Sequence, residues 1–85
     1  MDWLVKVTIQ LKESILDPQG QAVKTGLEAL GYKNVADLQV GKYIELTVSD
    51  QEKKQEVNTQ VEEMCQRLLA NPVIEDYNYE IEELA

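Results

Sequence analysis

The chain is 85 residues long and 44% apolar, and sixteen acidic against eight basic side chains leave a formal charge of -8. At this length it makes one domain, residues 1–85, able to bury only about 60% of its unfolded surface, so association is expected to add to its stability. The acidic excess repels a phosphate backbone and the lysines are scattered rather than clustered, which argues against nucleic acid as a partner.

Residues 3–11 alternate, with Trp3, Val5, Val7, Ile9 and Leu11 on one side and Leu4, Lys6, Thr8 and Gln10 on the other. That period of two is a half-buried strand. A short link, residues 12–16, then leads into a helix. Asp17 before Pro18 reads as an N-cap followed by the first helical residue, because the carboxylate accepts orphan amide protons and proline has none to offer. Val23, Leu27 and Leu30, with Ala22 and Gly26 beside them, recur on one face, and Gly31 is placed to take the left-handed conformation that stops a helix. Gly26 costs a helix close to 1 kcal/mol relative to alanine, a cost expected to be offset by close packing against a sheet.

Residues 35–48 contain Gly41 and Lys42 at their centre, which predicts a tight hairpin between two strands, with a single bulged strand as the alternative. In the hairpin, Leu38, Val40, Ile44, Leu46 and Val48 face the core, and Tyr43, Glu45 and Thr47 face away. Ser49 with Glu52 has the spacing of a capping box, so a helix is expected from there to residue 70. Val57, Val61, Met64, Cys65 and Leu68 draw its apolar stripe, Glu63 and Arg67 pair at a spacing of four, and Asn71 with Pro72 ends it. The tail alternates again, Tyr77, Tyr79 and Ile81 against Asp76, Asn78, Glu80 and Glu82, and forms the last strand.

The order β-α-β-β-α-β predicts an α+β two-layer sandwich of ferredoxin-like type, a four-stranded antiparallel sheet with two helices on one face. Its first strand lies between the third and the fourth. The uncovered face then carries Lys6, Thr8 and Gln10 between Tyr43, Glu45, Thr47 and Asn78, Glu80, Glu82. Such a face is either solvated or a contact surface, and Lys6, Thr8, Tyr43, Glu45 and Thr47 are the candidates for a dimer face.

Nothing in the chain equips it for catalysis. Histidine is absent, which removes the commonest general base, the usual nucleophile triads and most transition-metal sites. Cys65, the only cysteine, sits on an apolar stripe as an inert thiol and implies no disulfide framework. Gly20, Gly26, Gly31 and Gly41 fit no nucleotide-binding pattern, and the acidic tail lacks the loop of oxygen ligands that calcium needs. The loop after the first strand, Lys12, Glu13 and Ser14, is not the cationic loop of a small phosphatase. No catalytic, cofactor or metal site is therefore assigned. No export signal and no run of about 20 apolar residues is present, which points to the cytoplasm and away from membranes.

Three segments carry a resemblance: LKESILDPQGQAV at 11–23, VGKYIEL at 40–46 and EMCQRLLANPVIEDYNYEIEE at 63–83. They are similar to the PurS family, the small subunit of bacterial formylglycinamidine ribonucleotide synthase. The resemblance implies a non-catalytic subunit of an amidotransferase complex in purine biosynthesis, with no cofactor of its own. A glutaminase subunit would release ammonia, and a synthetase subunit would use ATP and Mg. The small subunit would form homodimers, with higher association left open, bind both larger subunits and assist ammonia transfer between them. Leu16, Asp17, Pro18, Gly20, Gly41 and Lys42 match the family's motifs at loops and are its partner-contact candidates. A ligand-sensing regulatory domain of similar architecture is the alternative.

Overall fold

A computed structural model describes residues 1–84, in the order β1 (Asp2–Leu11), α1 (Pro18–Ala29), β2 (Lys42–Val48), α2 (Lys54–Met64) and β3 (Glu75–Leu84). A π-helical turn, Cys65–Leu69, extends α2. The strands form one three-stranded antiparallel sheet in the order β2-β1-β3, so the first strand is central, as its alternation and neighbours suggested. This is an α+β fold.

The inner face of the sheet is built by period-two alternation. Trp3, Val5, Val7 and Ile9 of β1 are buried, and Val57, Val61 and Cys65 close over them from α2 and its π turn. Ile44 and Leu46 of β2, and Tyr77, Tyr79 and Ile81 of β3, flank this core half-buried. The Trp3 indole lies inside, and its Nε1 donates to the Gln51 carbonyl at 2.8 Å, which satisfies the one polar atom that ring brings in.

Residues 35–40 depart from expectation: they form neither the outer arm of a hairpin nor part of a longer strand. Side chains take up their backbone groups instead. The Asp17 carboxylate accepts from the Val40 amide, Asp37 accepts from the Leu38 amide, and Lys24 donates to the Ala36 carbonyl. The four-stranded ferredoxin-like sheet is thus reduced to three strands.

The first helix also sits elsewhere than expected. Its caps hold, Asp17 at the start and Gly31 at a φ of 101° just past the end. Yet α1 has no substantial contact with any strand or with α2 among the described residues. Val23 and Leu30 are 47% and 76% exposed. A Cβ added at Gly26 would meet nothing within 4 Å, so packing on the sheet is not the reason for that glycine.

Two smaller corrections concern α2. Ser49 does not cap it: Asp50 takes a left-handed φ of 63°, the Gln51 carbonyl is drawn to Trp3, and the helix begins one turn later after Lys53. At its far end the π turn bonds the Ala70 amide to the Cys65 carbonyl, five residues back. The wider turn shifts the stripe, so Ala70 is buried and Leu69 half-buried while Leu68, expected in the core, is 83% exposed.

A compact 85-residue domain has a radius of gyration of about 12 Å. This chain has 16.6 Å and extents of 51 × 29 × 15 Å. An α1 without substantial contact with the sheet or α2 accords with that elongation.

Candidate functional site

The partner-contact candidates gather at the root of α1. Asp17, Pro18, Gly41 and Lys42 line a groove of about 210 Å³ with Ile9, Leu11, Gln19, Val40 and Glu75. Asp17 is its keystone. One carboxylate oxygen accepts from the Gly20 amide at 2.9 Å, the cap that starts α1, and the other accepts from the Val40 amide at 3.0 Å, where the chain returns to the sheet. These two bonds, from Val40 first and Gly20 second, hold the carboxyl below its ordinary range.

Both glycines at the root are close-approach positions. A Cβ at Gly20 would collide with the Asp17 carboxylate, and one at Gly41 would fall 2.5 Å from the Ile9 carbonyl oxygen. Lys42 is 3.7 Å from Glu75 across the groove. Leu16 stands outside the groove lining, 79% exposed. Asp17 and Gly41 thus shape the groove, with buried Gly20 outside its lining as the partner of the Asp17 carboxylate, whereas Leu16, Pro18 and Lys42 present exposed side chains.

The dimer-face candidates share the open side of the sheet, where the register sets Lys6 opposite Glu45 and Thr8 opposite Tyr43. Lys6 donates to Glu82 Oε1 at 3.0 Å, and the Tyr43 hydroxyl donates to Glu45 at 2.8 Å. The Glu82 carboxylate raises the Lys6 pKa, and the bond to Glu45 raises that of Tyr43. Thr8 and Thr47 are exposed beside them. Lys6, Thr8, Gln10 and Tyr43 line an open groove of about 570 Å³ with β3 residues 76–80.

One polar cluster escaped the sequence reading. Glu62 of α2 accepts from the Tyr77 and Tyr79 hydroxyls, each at 2.8 Å, and from the Gln66 amide at 3.2 Å. The tyrosines, Tyr77 first, hold the Glu62 carboxyl below its ordinary value. Tyr79 is pushed up to about 12, by burial first and the carboxylate second. The signal was the inward phase of two tyrosines, whose hydroxyls need a partner on the covering helix. The cluster fastens α2 to β3.

Burial pushes the Cys65 thiol up, away from the reactive thiolate. No group of three or more His, Cys, Asp or Glu side chains is placed to hold a metal ion among the described residues. No described helix is long and apolar enough to cross a membrane.

Comparison with known families decides what this frame is. Residues 4–83 match the family model described as PurS, phosphoribosylformylglycinamidine (FGAM) synthase. The chain belongs to the PurS family. It is 51% identical over 80 residues to the phosphoribosylformylglycinamidine synthase subunit PurS of Bacillus subtilis strain 168, across 94% of this chain and 93% of that one. The crystal structure of Methanocaldococcus jannaschii PurS, a subunit of formylglycinamide ribonucleotide amidotransferase in the purine biosynthetic pathway, matches with a TM-score of 0.83. It is 38% identical and covers 98% of this chain and 99% of that one. A chain in the structure of PurLQS from Thermotoga maritima matches with a TM-score of 0.86 at 28% identity, covering 96% and 99%. The family membership expected from the three motifs stands.

Proposed function

We propose that this chain is the non-catalytic small subunit of phosphoribosylformylglycinamidine synthase in purine biosynthesis. It acts in the cytoplasm as a homodimer that bridges the glutaminase and synthetase subunits and assists ammonia transfer between them. The family match over residues 4–83 carries the reading, and a Thermotoga maritima relative of matching fold comes from a PurLQS structure. A chain without histidine, with its one thiol buried, supports the non-catalytic part. ATP and Mg belong to the synthetase subunit, and this chain holds no cofactor of its own.

The groove at the root of α1 is the contact with the larger subunits. Leu16, Pro18 and Lys42 touch them, and Asp17, Gly20 and Gly41 hold the groove's shape. Reconstitution tests the reading. With glutamine as nitrogen donor, the glutaminase and synthetase subunits are expected to assemble and form product only when this chain is present. Equal product formation without it overturns the proposal.

A further inference from the structure

Resting on the bridging role proposed above, we infer that the open face of the sheet is a second docking surface, separate from the root of α1, and that it receives a basic, arginine-bearing surface of one larger subunit. A chain that joins two partners needs two places to hold them. The groove on this face and the groove at the root of α1 have no lining residue in common.

The register lays side chains in rows across the face. Glu45, Lys6 and Glu80 form one row, and Tyr43, Thr8 and Asn78 the next. Side chains two apart on a strand share a face, which adds Glu82 and Asp76 on either side of these rows. Around Lys6, therefore, four carboxylates face one ammonium. That lysine is already engaged: its Nζ reaches diagonally to Glu82 at 3.0 Å rather than to Glu45 or Glu80 opposite it. Glu45 takes the Tyr43 hydroxyl at 2.8 Å. Asp76 and Glu80 are exposed and form no ion pair among the described residues. The Glu80 charge is still felt at Tyr43 on the far strand, where it adds, after Glu45 and burial, to the upward shift of that hydroxyl.

Like charges set side by side weaken a sheet, so this arrangement has a cost in the isolated chain that a docked cation removes. Arginine fits it well, because its planar fork matches a carboxylate and the exposed ring of Tyr43 gives it a surface to stack on. Thr8 and Asn78, exposed between the charges, add hydrogen-bonding groups of the kind a polar interface uses. Charge also decides against a second copy at this face, since two such faces would set carboxylates against carboxylates.

The test uses the full chain with separately purified glutaminase and synthetase subunits. Asp76→Asn with Glu80→Gln removes two charges at exposed positions that hold no partner. Its thermal unfolding midpoint is expected at or above that of wild type, while its affinity for one larger subunit falls roughly 10-fold. Glu80→Lys is expected to weaken the same complex further, and added salt should loosen the wild-type complex more than the variants'. Glu52→Lys, an equal charge reversal in the link before α2, is expected to leave affinity within about twofold of wild type. If the face variants bind both larger subunits as tightly as wild type, or if Glu52→Lys costs as much affinity as Glu80→Lys, the face is wrong and the bridge stands. A lowered unfolding midpoint makes the carboxylates structural and also overturns the inference. Face variants that lose the homodimer but keep both larger subunits assign the face to a second copy and overturn it too. A wild-type chain that binds neither larger subunit overturns the bridging role itself.

Discussion

The two helices of this chain have similar lengths and similarly one-sided patterns, and opposite fates. The stripe of α2 is closed over the sheet, where Val57 and Val61 reach full burial; that of α1 stands out in solvent with Leu30 three-quarters exposed. Periodicity declares that a helix has an apolar side. It does not say whether the surface that covers that side belongs to the same chain, and here one helix is used inward and the other outward.

The contrast can be broken first with truncations. Trp3→Ala in the sheet core is expected to lower the unfolding free energy by about 3–5 kcal/mol in urea titration. Leu30→Ala, studied dilute enough to be monomeric, should stay within about 0.5 kcal/mol of wild type. Comparable losses from both would mean that α1 packs inside its own chain after all.

pH sharpens the same comparison, since each half has its own carboxylate. The folded pKa of Glu62 lies below its ordinary 4.5, so the stability it contributes is present above that value and is lost as pH falls through the folded one. Tyr79 runs the other way: raised from 10.0 to about 12, it contributes fully below pH 10 and loses that contribution as pH climbs toward 12. Asp17, also lowered, adds an acid-side loss at the root of α1, where its carboxylate holds the Val40 and Gly20 amides. Thermal unfolding of Tyr77→Phe with Tyr79→Phe should show a shallower decline at both ends of the pH range than wild type. An unchanged profile would remove the cluster from the stability of the sheet half.

Gly26→Ala should raise monomer stability by about 0.5–1 kcal/mol, since the methyl group meets open space and alanine favours helix. A loss instead would mean a close contact within the chain. Smallest of all is Arg67→Ala, which removes an exposed pair with Glu63 at 3.8 Å and should cost about 0.3 kcal/mol.

How much was legible follows the range of the forces involved. The strand read over 3–11 and the one read in the tail from residue 73, observed as Asp2–Leu11 and Glu75–Leu84, and both caps of α1 are set by residues close in sequence; the sequence reading found each within two residues over the described chain. Their pairing order followed from the alternation together with the known ways of stacking two layers. The hairpin expected at residues 35–48 failed because Asp17, some twenty residues earlier, claims the Val40 amide that a strand partner would have bonded. The capping box at Ser49 failed for a similar reason: Trp3 takes the Gln51 carbonyl from 48 residues away. The π turn that exposes Leu68 leaves no mark in spacing, because a stripe drawn at 3.6 residues per turn assumes the turn never widens. At the site, the sequence reading named Asp17, Pro18, Gly41 and Lys42 of the groove lining, but not Ile9, Leu11, Gln19, Val40 or Glu75, and it missed that the Asp17 carboxylate organises them. It also missed Glu62, whose role depends on tyrosines that follow it in the chain.

The central position of β1 also governs how the molecule comes into being. Its two hydrogen-bonded neighbours are both made later, and the register joins Asp2 to Leu84. Until residues 75–84 leave the ribosome, the strand that carries Val5, Val7 and Ile9 has at most one flank bonded, and its apolar side lacks the β3 tyrosines. The sheet therefore cannot close before its last strand is made, and the two flanks of β1 are completed in the order β2, then β3.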